Sequence, residues 1–147
     1  MSALKNIISL FAVLIFAICV SDTVLAGDAQ TSSITVVMTG FKSDAGKVRV
    51  ALVKDKDGFD SETKEPFSGA AVDIKGGVAT HVFKNVPYGE YAVKFFHDED
   101  GSGKLKTGVF GIPKEEYGFS NDTSSKNFSK AKFQVNDPTM TLELKAR

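Results

Sequence analysis

Alternation of apolar and polar residues with a period of two recurs in short segments along most of the sequence. In the clearest segment, Glu90 to His97, the residues Tyr91, Val93 and Phe95 share one face and Lys94 lies on the other. Successive side chains of a β-strand point to opposite faces, so each segment is typical of a half-buried strand. About seven such segments, without an amphipathic helix or an internal repeat, predict an all-β fold: an antiparallel two-sheet β-sandwich with one long loop.

Turns rich in Gly, Pro, Asn and Asp separate the predicted strands, which cover residues 34–39, 47–54, 70–74, 78–84, 90–97, 131–135 and 139–145. The first two and the last two strands are predicted to form hairpins. Residues 98–130, in contrast, show no clear periodicity. Loops longer than about 12–15 residues are uncommon and are often functional. We therefore expect the functional residues in this loop.

The first 26 residues have the layout of a secretory signal peptide. Lys5 gives a short positive region, Ile7 to Val20 is almost continuously apolar, and small residues precede a cleavage site after Ala26. The apolar stretch is too short to cross the ~30 Å core of a bilayer as a helix, which argues against a membrane anchor. Lipid attachment at Cys19 is disfavoured because a bulky residue precedes it. We therefore predict that residues 1–26 are a signal peptide and that the protein is exported.

The remainder divides into a short polar leader, residues 27–32, and a single β-sandwich domain, residues 33–147. Cleavage would remove Cys19, the one cysteine, and would leave basic and acidic residues in equal number. Disulfides, thiol catalysis and cysteine-bound metals are then excluded, and no basic patch suggests nucleic acid as a partner. No long apolar segment follows Ala26, so we expect no stable membrane insertion and a location in the periplasm or outside the cell.

The start of the long loop resembles half of a calcium-binding loop. Asp98, Asp100 and Ser102 place oxygen ligands at positions 1, 3 and 5, and a glycine follows at position 6, as in an EF-hand. Position 9 is Lys106 and position 12 is Val109, so the closing bidentate acid is missing. Two interpretations stay open. A glutamate from elsewhere completes a calcium site, or the segment is a turn whose side chains bond their own backbone; the candidate glutamates are Glu99, Glu115 and Glu116.

A second candidate site lies further along the loop. Tyr117, Phe119 and Asn121 combine two aromatic rings with a hydrogen-bonding side chain. They would suit a ligand platform for a glycan or a peptide. The alternative is that the aromatic rings hold the loop on the sandwich while Asn121 bonds the backbone.

A hydrolase is the third and weakest hypothesis. His97 and Asp98 adjoin, and Ser102 and Ser120 lie in the same region. Adjacent residues of a strand point to opposite faces, so His97 and Asp98 should not pair. Neither serine lies in a nucleophile-elbow glycine pattern. We therefore expect no enzymatic activity.

Three stretches of the sequence resemble the DUF2141 family, exported bacterial proteins of unassigned function. The first, from Phe83, is similar to a strand–turn–strand pattern F-x-N-L-P-x-G-x-Y-A; the second runs from His97 to Leu105; the third, from Gly111 to Asn121, is the distinctive string GIPKEEYGFSN. The resemblance covers Val48 to Leu144. It implies a prealbumin-like or Ig-like sandwich in a Gram-negative envelope and implies no activity.

The sequence departs from the family pattern after the glycine-lysine-leucine step. Where members usually carry an acid and an asparagine, this chain has Lys106 and Thr107. The departure weakens the case for a cation there. We expect a non-enzymatic envelope binding or accessory module that uses loop 98–121 to contact an unknown partner or ligand. The alternative is a calcium-stabilised structural domain without a separate ligand.

Overall fold

The computed structural model describes residues 30–147 of the protein. The predicted signal peptide and the first part of the predicted leader lie outside the described residues. The first strand begins at Thr31, so the last two residues of the predicted leader belong to a sheet. Within residues 30–147, no helix is long and apolar enough to cross a membrane.

The described chain forms eight strands and two short α-helices, in the order β1 (Thr31–Thr39), β2 (Lys47–Val53), α1 (Lys56–Asp60), β3 (Ser68–Val72), β4 (Val78–Pro87), β5 (Gly89–Asp98), β6 (Tyr117–Phe119), α2 (Phe128–Ala131), β7 (Phe133–Val135) and β8 (Thr139–Lys145). Single 3-10 turns lie at Val109–Gly111 and Ser120–Asp122. Strand β6 lies inside the predicted long loop. Its three residues are too few to show a period in the sequence.

The strands form two sheets, and the predicted β-sandwich is confirmed. One sheet has the order β4-β1-β8, and the other has the order β3-β2-β5-β6, with β7 paired to the remaining length of β5. All pairs are antiparallel except β1 with β8, which run parallel. A parallel pair needs a long connection, and almost the whole domain lies between β1 and β8.

The two predicted hairpins are not formed. β1 and β2 lie in different sheets, and so do β7 and β8. A period of two followed by a turn indicates two strands and a reversal, but it does not say whether the second strand pairs with the first. In a sandwich the chain often crosses to the opposite sheet, because the apolar faces of the two sheets bury each other.

The five-stranded sheet is covered on both faces. Its inner face packs on the other sheet and includes Tyr91, Val93 and Phe95 of β5, all at most 3% exposed. The outer face carries a second apolar cluster in which Phe59 of α1 and Phe119 of β6 are buried. The segments that follow β2 and β5 form this second layer, so the long loop lies over the outer face of the sheet.

Candidate functional site

Three carboxylates converge where the long loop leaves β5 and returns to the sheet. Asp98 is the last residue of β5, Asp100 lies in the next turn, and Glu115 lies on the returning arm just before β6. One carboxylate oxygen of each lies within 4.8 Å of the other two. We call Asp98, Asp100 and Glu115 the carboxylate cluster. It joins two residues of the calcium-like motif with one of the three candidate glutamates.

Protein cations already neutralise two members of the carboxylate cluster. Arg49 of β2 forms an ion pair with Asp98, whose side chain is 1% exposed, and the Gly103 amide donates to the same carboxylate at 3.0 Å. Lys106 Nζ lies 2.7 Å from an oxygen of Asp100. Lys106, the residue that departs from the family pattern, thus occupies the position next to the motif's second acid.

The remaining contacts fold the loop around the carboxylate cluster. The Lys106 amide donates to Glu115 Oε2 at 2.8 Å, which ties the outgoing arm of the loop to the returning arm. Ser102 Oγ lies 3.5 Å from Asp98 Oδ1 and donates to the Lys104 carbonyl at 3.1 Å. The Ser102 amide donates to Asp100. These bonds are those of an Asx-type turn, the alternative to a cation site.

The electrostatics keep both aspartates ionised at neutral pH. Burial raises the pKa of Asp98, but the hydrogen bonds from Arg49 and Gly103 outweigh burial and hold that pKa below its usual value. Lys106 and Ser102 lower the pKa of Asp100 to about 2. A divalent cation would therefore find ionised oxygens here, but it would compete with Lys106 and Arg49 for them.

His97 is buried on the opposite face of β5 from Asp98. Its Nε2 lies 2.6 Å from the Ala45 carbonyl and its Nδ1 lies 3.1 Å from Glu116 Oε2. Burial lowers the pKa of His97, but the Ala45 carbonyl and the Glu116 carboxylate together outweigh burial and raise it above its usual value. Both ring nitrogens face acceptors, so the protonated ring satisfies both.

The residues considered for a hydrolase are not brought together. Both ring nitrogens of His97 are engaged away from Ser102 and Ser120. Ser120 is fully buried, donates to the Ala131 carbonyl at 2.6 Å, and accepts from the Val93 amide at 2.9 Å. Ser120 therefore joins β5 to the segment around α2.

A cleft of about 230 Å³ lies between the long loop and the outer face of the five-stranded sheet. Phe96, Leu105 and Tyr117 contribute apolar surface to it. Five basic side chains and one acidic side chain, that of Glu62, line it; the basic residues are Arg49, Lys64, Lys94, Lys104 and Lys126. We call this cavity, with those lining residues, the basic cleft. Its composition suits a ligand that carries negative charge beside an apolar group.

The basic cleft contains two of the three residues predicted as a ligand platform. Tyr117 and Phe119 line it, with ring centroids 5.7 Å apart, and Phe119 also packs 5.2 Å from Phe59. Asn121 does not line it. The Asn121 amide group donates to the carbonyls of Lys130 and Lys132, so it ties the loop to α2. Phe119 thus anchors the loop, and Tyr117 is the more accessible of the two rings.

Lys94 is a wall of the basic cleft that sequence reasoning did not single out. Its Nζ donates to the carbonyls of Gly58, Phe59 and Ser61 at 2.7, 3.0 and 2.6 Å. Burial is the main reason that the pKa of Lys94 is lowered. The sequence feature that could have identified Lys94 is its position between apolar residues of the clearest predicted strand. Its partners were not predictable, because they lie in α1, more than 30 residues away.

Lys104 differs from the other cations of the basic cleft. Arg49 and Lys64 form ion pairs, and Lys126 donates to the Asp60 carbonyl. Within residues 30–147, the Lys104 ammonium makes no hydrogen bond or ion pair. It is therefore the rim cation best placed to meet an incoming anion.

Comparisons with known proteins place the sequence in relation to one family. A family model described as "Uncharacterized protein conserved in bacteria (DUF2141)" matches residues 36–143. No curated protein matches the sequence. Among solved structures, a pilus-presented adhesin, Spy0125 (Cpa), in its Cys426Ala mutant is 14% identical, covers 80% of this chain and 27% of its own, and has a TM-score of 0.29. A second form of the same adhesin is 15% identical, with the same coverage and a TM-score of 0.27. The chain thus spans about a quarter of those structures.

Proposed function

The chain belongs to DUF2141, a family of uncharacterized proteins conserved in bacteria, and we propose that this member is a non-enzymatic binding module of the cell envelope. Loop 98–121 and the outer sheet face behind it form its binding surface. Export follows from the signal-peptide layout of residues 1–26. The observation that carries the proposal is the basic cleft, with its aromatic lining and its excess of positive charge.

The ligand of the basic cleft is an anion with an apolar or ring-shaped part. Five basic side chains against one acidic side chain give the cavity a positive potential. The accessible face of Tyr117 offers a surface on which a ring can stack. The lining contains no histidine and no cysteine, so its one serine, Ser61, has no histidine in the cleft to act as its base. Binding without catalysis fits this set of residues.

A titration with an anionic aromatic probe, 8-anilinonaphthalene-1-sulfonate, tests the proposal. Lys104→Gln should weaken binding about tenfold or more, since a hydrogen bond to a charged group contributes about 1.5–3 kcal/mol. Tyr117→Leu, which keeps an apolar side chain but removes the ring face, should also weaken it. Lys84→Gln is the matched control, because Lys84 lies on β4 of the other sheet. Equal affinity for all four proteins would contradict binding in the basic cleft.

A calcium-stabilised domain is the second candidate, and the carboxylate cluster is the observation that favours it. Calcium at about 1–10 mM, which exceeds the dissociation constants of about 0.1–1 mM that weak extracellular sites have, should then raise the melting temperature. Lys106→Gln should enlarge the shift, because it removes the competing ammonium, and Asp100→Ala should abolish it. A melting temperature that is unchanged by calcium in both the native protein and Lys106→Gln would reject this candidate.

A further inference from the structure

The long loop contains a small ordered hairpin between the two arms that hold the carboxylate cluster. The Lys114 amide donates to the Lys106 carbonyl at 2.8 Å, and the Gly108 amide donates to the Ile112 carbonyl at 2.7 Å. These bonds close a turn whose outermost side chains are all apolar. Val109 is 75% exposed, Phe110 is 96% exposed and Ile112 is 62% exposed. We call Val109, Phe110 and Ile112 the apolar tip.

Phe110 is held outward by its own backbone. Its φ of 63° and ψ of 22° lie in the left-handed region, which bulky residues rarely adopt. The other residues of the described chain with positive φ that are not glycine are Asn85, Asn121 and Asp122, whose short polar side chains tolerate this conformation better. A glycine at position 110 would avoid both the backbone strain and the exposed ring. Both the backbone strain and the exposure of an aromatic ring thus fall on Phe110, the most exposed residue of the apolar tip.

The charged side chains of the turn itself have one sign, although the carboxylate cluster lies at its base, where Lys106 pairs with Asp100. Residues 103–114 include Lys104, Lys106 and Lys114 and contain no acid. The Lys114 ammonium makes no ion pair within residues 30–147. A lysine stem is long enough to lie along an apolar boundary while the ammonium stays in the polar layer beyond it. The loop therefore presents exposed apolar side chains with cations at the base of the turn.

We propose that the apolar tip inserts into the interfacial layer of a membrane that contains anionic lipids, while the Lys114 ammonium contacts the headgroups. Apolar side chains combined with basic residues bind such surfaces by apolar burial and electrostatic attraction together. All three side chains of the apolar tip are at least 62% exposed on one short turn. A fluid apolar layer can surround such exposed side chains, whereas a protein partner would need a pocket shaped to them. Contact through so few side chains is peripheral and reversible.

This inference is independent of the basic cleft. None of the three residues of the apolar tip lines that cavity. Phe110→Gly should therefore leave binding of 8-anilinonaphthalene-1-sulfonate in the basic cleft unchanged, and Tyr117→Leu should leave membrane binding unchanged. Failure of one proposal would not be mistaken for failure of the other.

Fluorescence provides a direct test, because the sequence contains no tryptophan. Phe110→Trp introduces a single reporter at the apolar tip. Its emission should shift to shorter wavelength on addition of phosphatidylcholine vesicles that contain phosphatidylglycerol. Vesicles of phosphatidylcholine alone should have a much smaller effect. Val82→Trp is the matched control; Val82 is 39% exposed on β4, far from the loop, and its reporter should not respond to either vesicle.

Vesicle sedimentation measures the contribution of the native side chain. Phe110→Gly should weaken binding to the anionic vesicles about tenfold or more, as expected for loss of one buried phenylalanine. Glycine suits the left-handed conformation, so circular dichroism should show an unchanged fold. Lys114→Gln should weaken binding about fivefold, since one lysine near an anionic surface contributes about that factor. Val82→Thr should bind like the native protein.

Three results would overturn the proposal. The first is a Phe110→Trp emission that anionic vesicles leave unchanged, or a Phe110→Gly variant that binds them as tightly as the native protein. The second is an emission shift that appears without vesicles and grows with protein concentration, which would assign the apolar tip to a second copy of the chain. The third is equal binding to vesicles with and without phosphatidylglycerol, which would remove the role of the lysines.

Discussion

The two faces of β5 differ in how completely their side chains are buried. The inner face consists of Tyr91, Val93 and Phe95, which are buried against the other sheet by apolar contact alone along most of the strand. The outer face carries Lys94 and Phe96, which are only partly buried and line the basic cleft. The inner face is therefore closed apolar core, while the outer face is less completely covered and leaves room for the basic cleft.

The same contrast continues at the end of the strand. The inner face ends in His97, which is held by Glu116, and the outer face ends in Asp98, which is held by Arg49. Two ionisable residues that are adjacent in the chain therefore take part in separate ion pairs on opposite faces of the strand. A strand that alternates its side chains can keep a structural core and a polar site within one residue of each other.

The largest expected effect is the difference in unfolding free energy lost when a phenylalanine is removed from each face. Phe95→Ala should lower the free energy of unfolding by about 3–5 kcal/mol, because Phe95 is 3% exposed in the core. Phe96→Ala, the matched change on the outer face, should cost less, because Phe96 is partly exposed before the change. Urea unfolding of both variants measures the difference. Equal losses would show that the outer face is packed as completely as the inner one.

Lys94→Met tests whether the outer face depends on specific hydrogen bonds. The substitution keeps the length of the side chain but removes donors to three carbonyls at the end of α1. We expect a loss of about 1–3 kcal/mol, the cost of leaving partly buried acceptors unpaired. Affinity for the anionic probe should also fall, because a cation of the basic cleft is lost. Lys84→Met on β4 is the control. A stability equal to that of the control would mean that water replaces the ammonium at no cost.

Sequence patterns predicted the inner face of β5 better than the outer face. Alternation places Tyr91, Val93 and Phe95 together because burial against a second sheet imposes a period of two. The same parity separates His97 from Asp98, which correctly disfavoured their pairing. Arg49 was not identified as the partner of Asp98, because the register of β2 against β5 brings them together and no local pattern encodes that register.

The long loop was located from the sequence, but its internal order was not. The internal order of the loop depends on a few hydrogen bonds between residues nine or more positions apart. They tie the Lys106 amide to Glu115, pair the three residues of β6 with β5, and join Asn121 to the segment around α2. Such bonds leave no periodicity to detect. The aromatic residues were identified because Tyr117 and Phe119 stand out in a polar stretch. Three of the basic side chains of the cleft, those of Arg49, Lys64 and Lys94, come from segments outside the long loop.

The smallest expected effect is a difference in the pH range over which each face contributes to the stability of the fold. The pKa of His97 is raised in the folded protein, so its contribution to stability is complete below the unfolded value of about 6.5 and is lost as pH rises through the higher folded value. The pKa of Asp98 is lowered, so its contribution is present above the unfolded value of about 3.8 and is lost as pH falls through the lower folded value. The contribution of His97 should therefore weaken above pH 6.5 and that of Asp98 below pH 3.8.

Chemical denaturation at a series of pH values measures both contributions. His97→Gln should flatten the decline in stability above pH 6.5. Burial raises the pKa of Glu116, but the hydrogen bonds from His97 and Lys42 outweigh burial and lower that pKa, so His97→Gln should also reduce the acid limb. Asp98→Asn should flatten the acid limb and leave the decline above pH 6.5 unchanged, since Arg49 then has no charge to pair with at any pH. If Asp98→Asn changed the decline above pH 6.5, the two networks would be coupled through the backbone between residues 97 and 98. The two faces of β5 would then not be independent at the end of the strand.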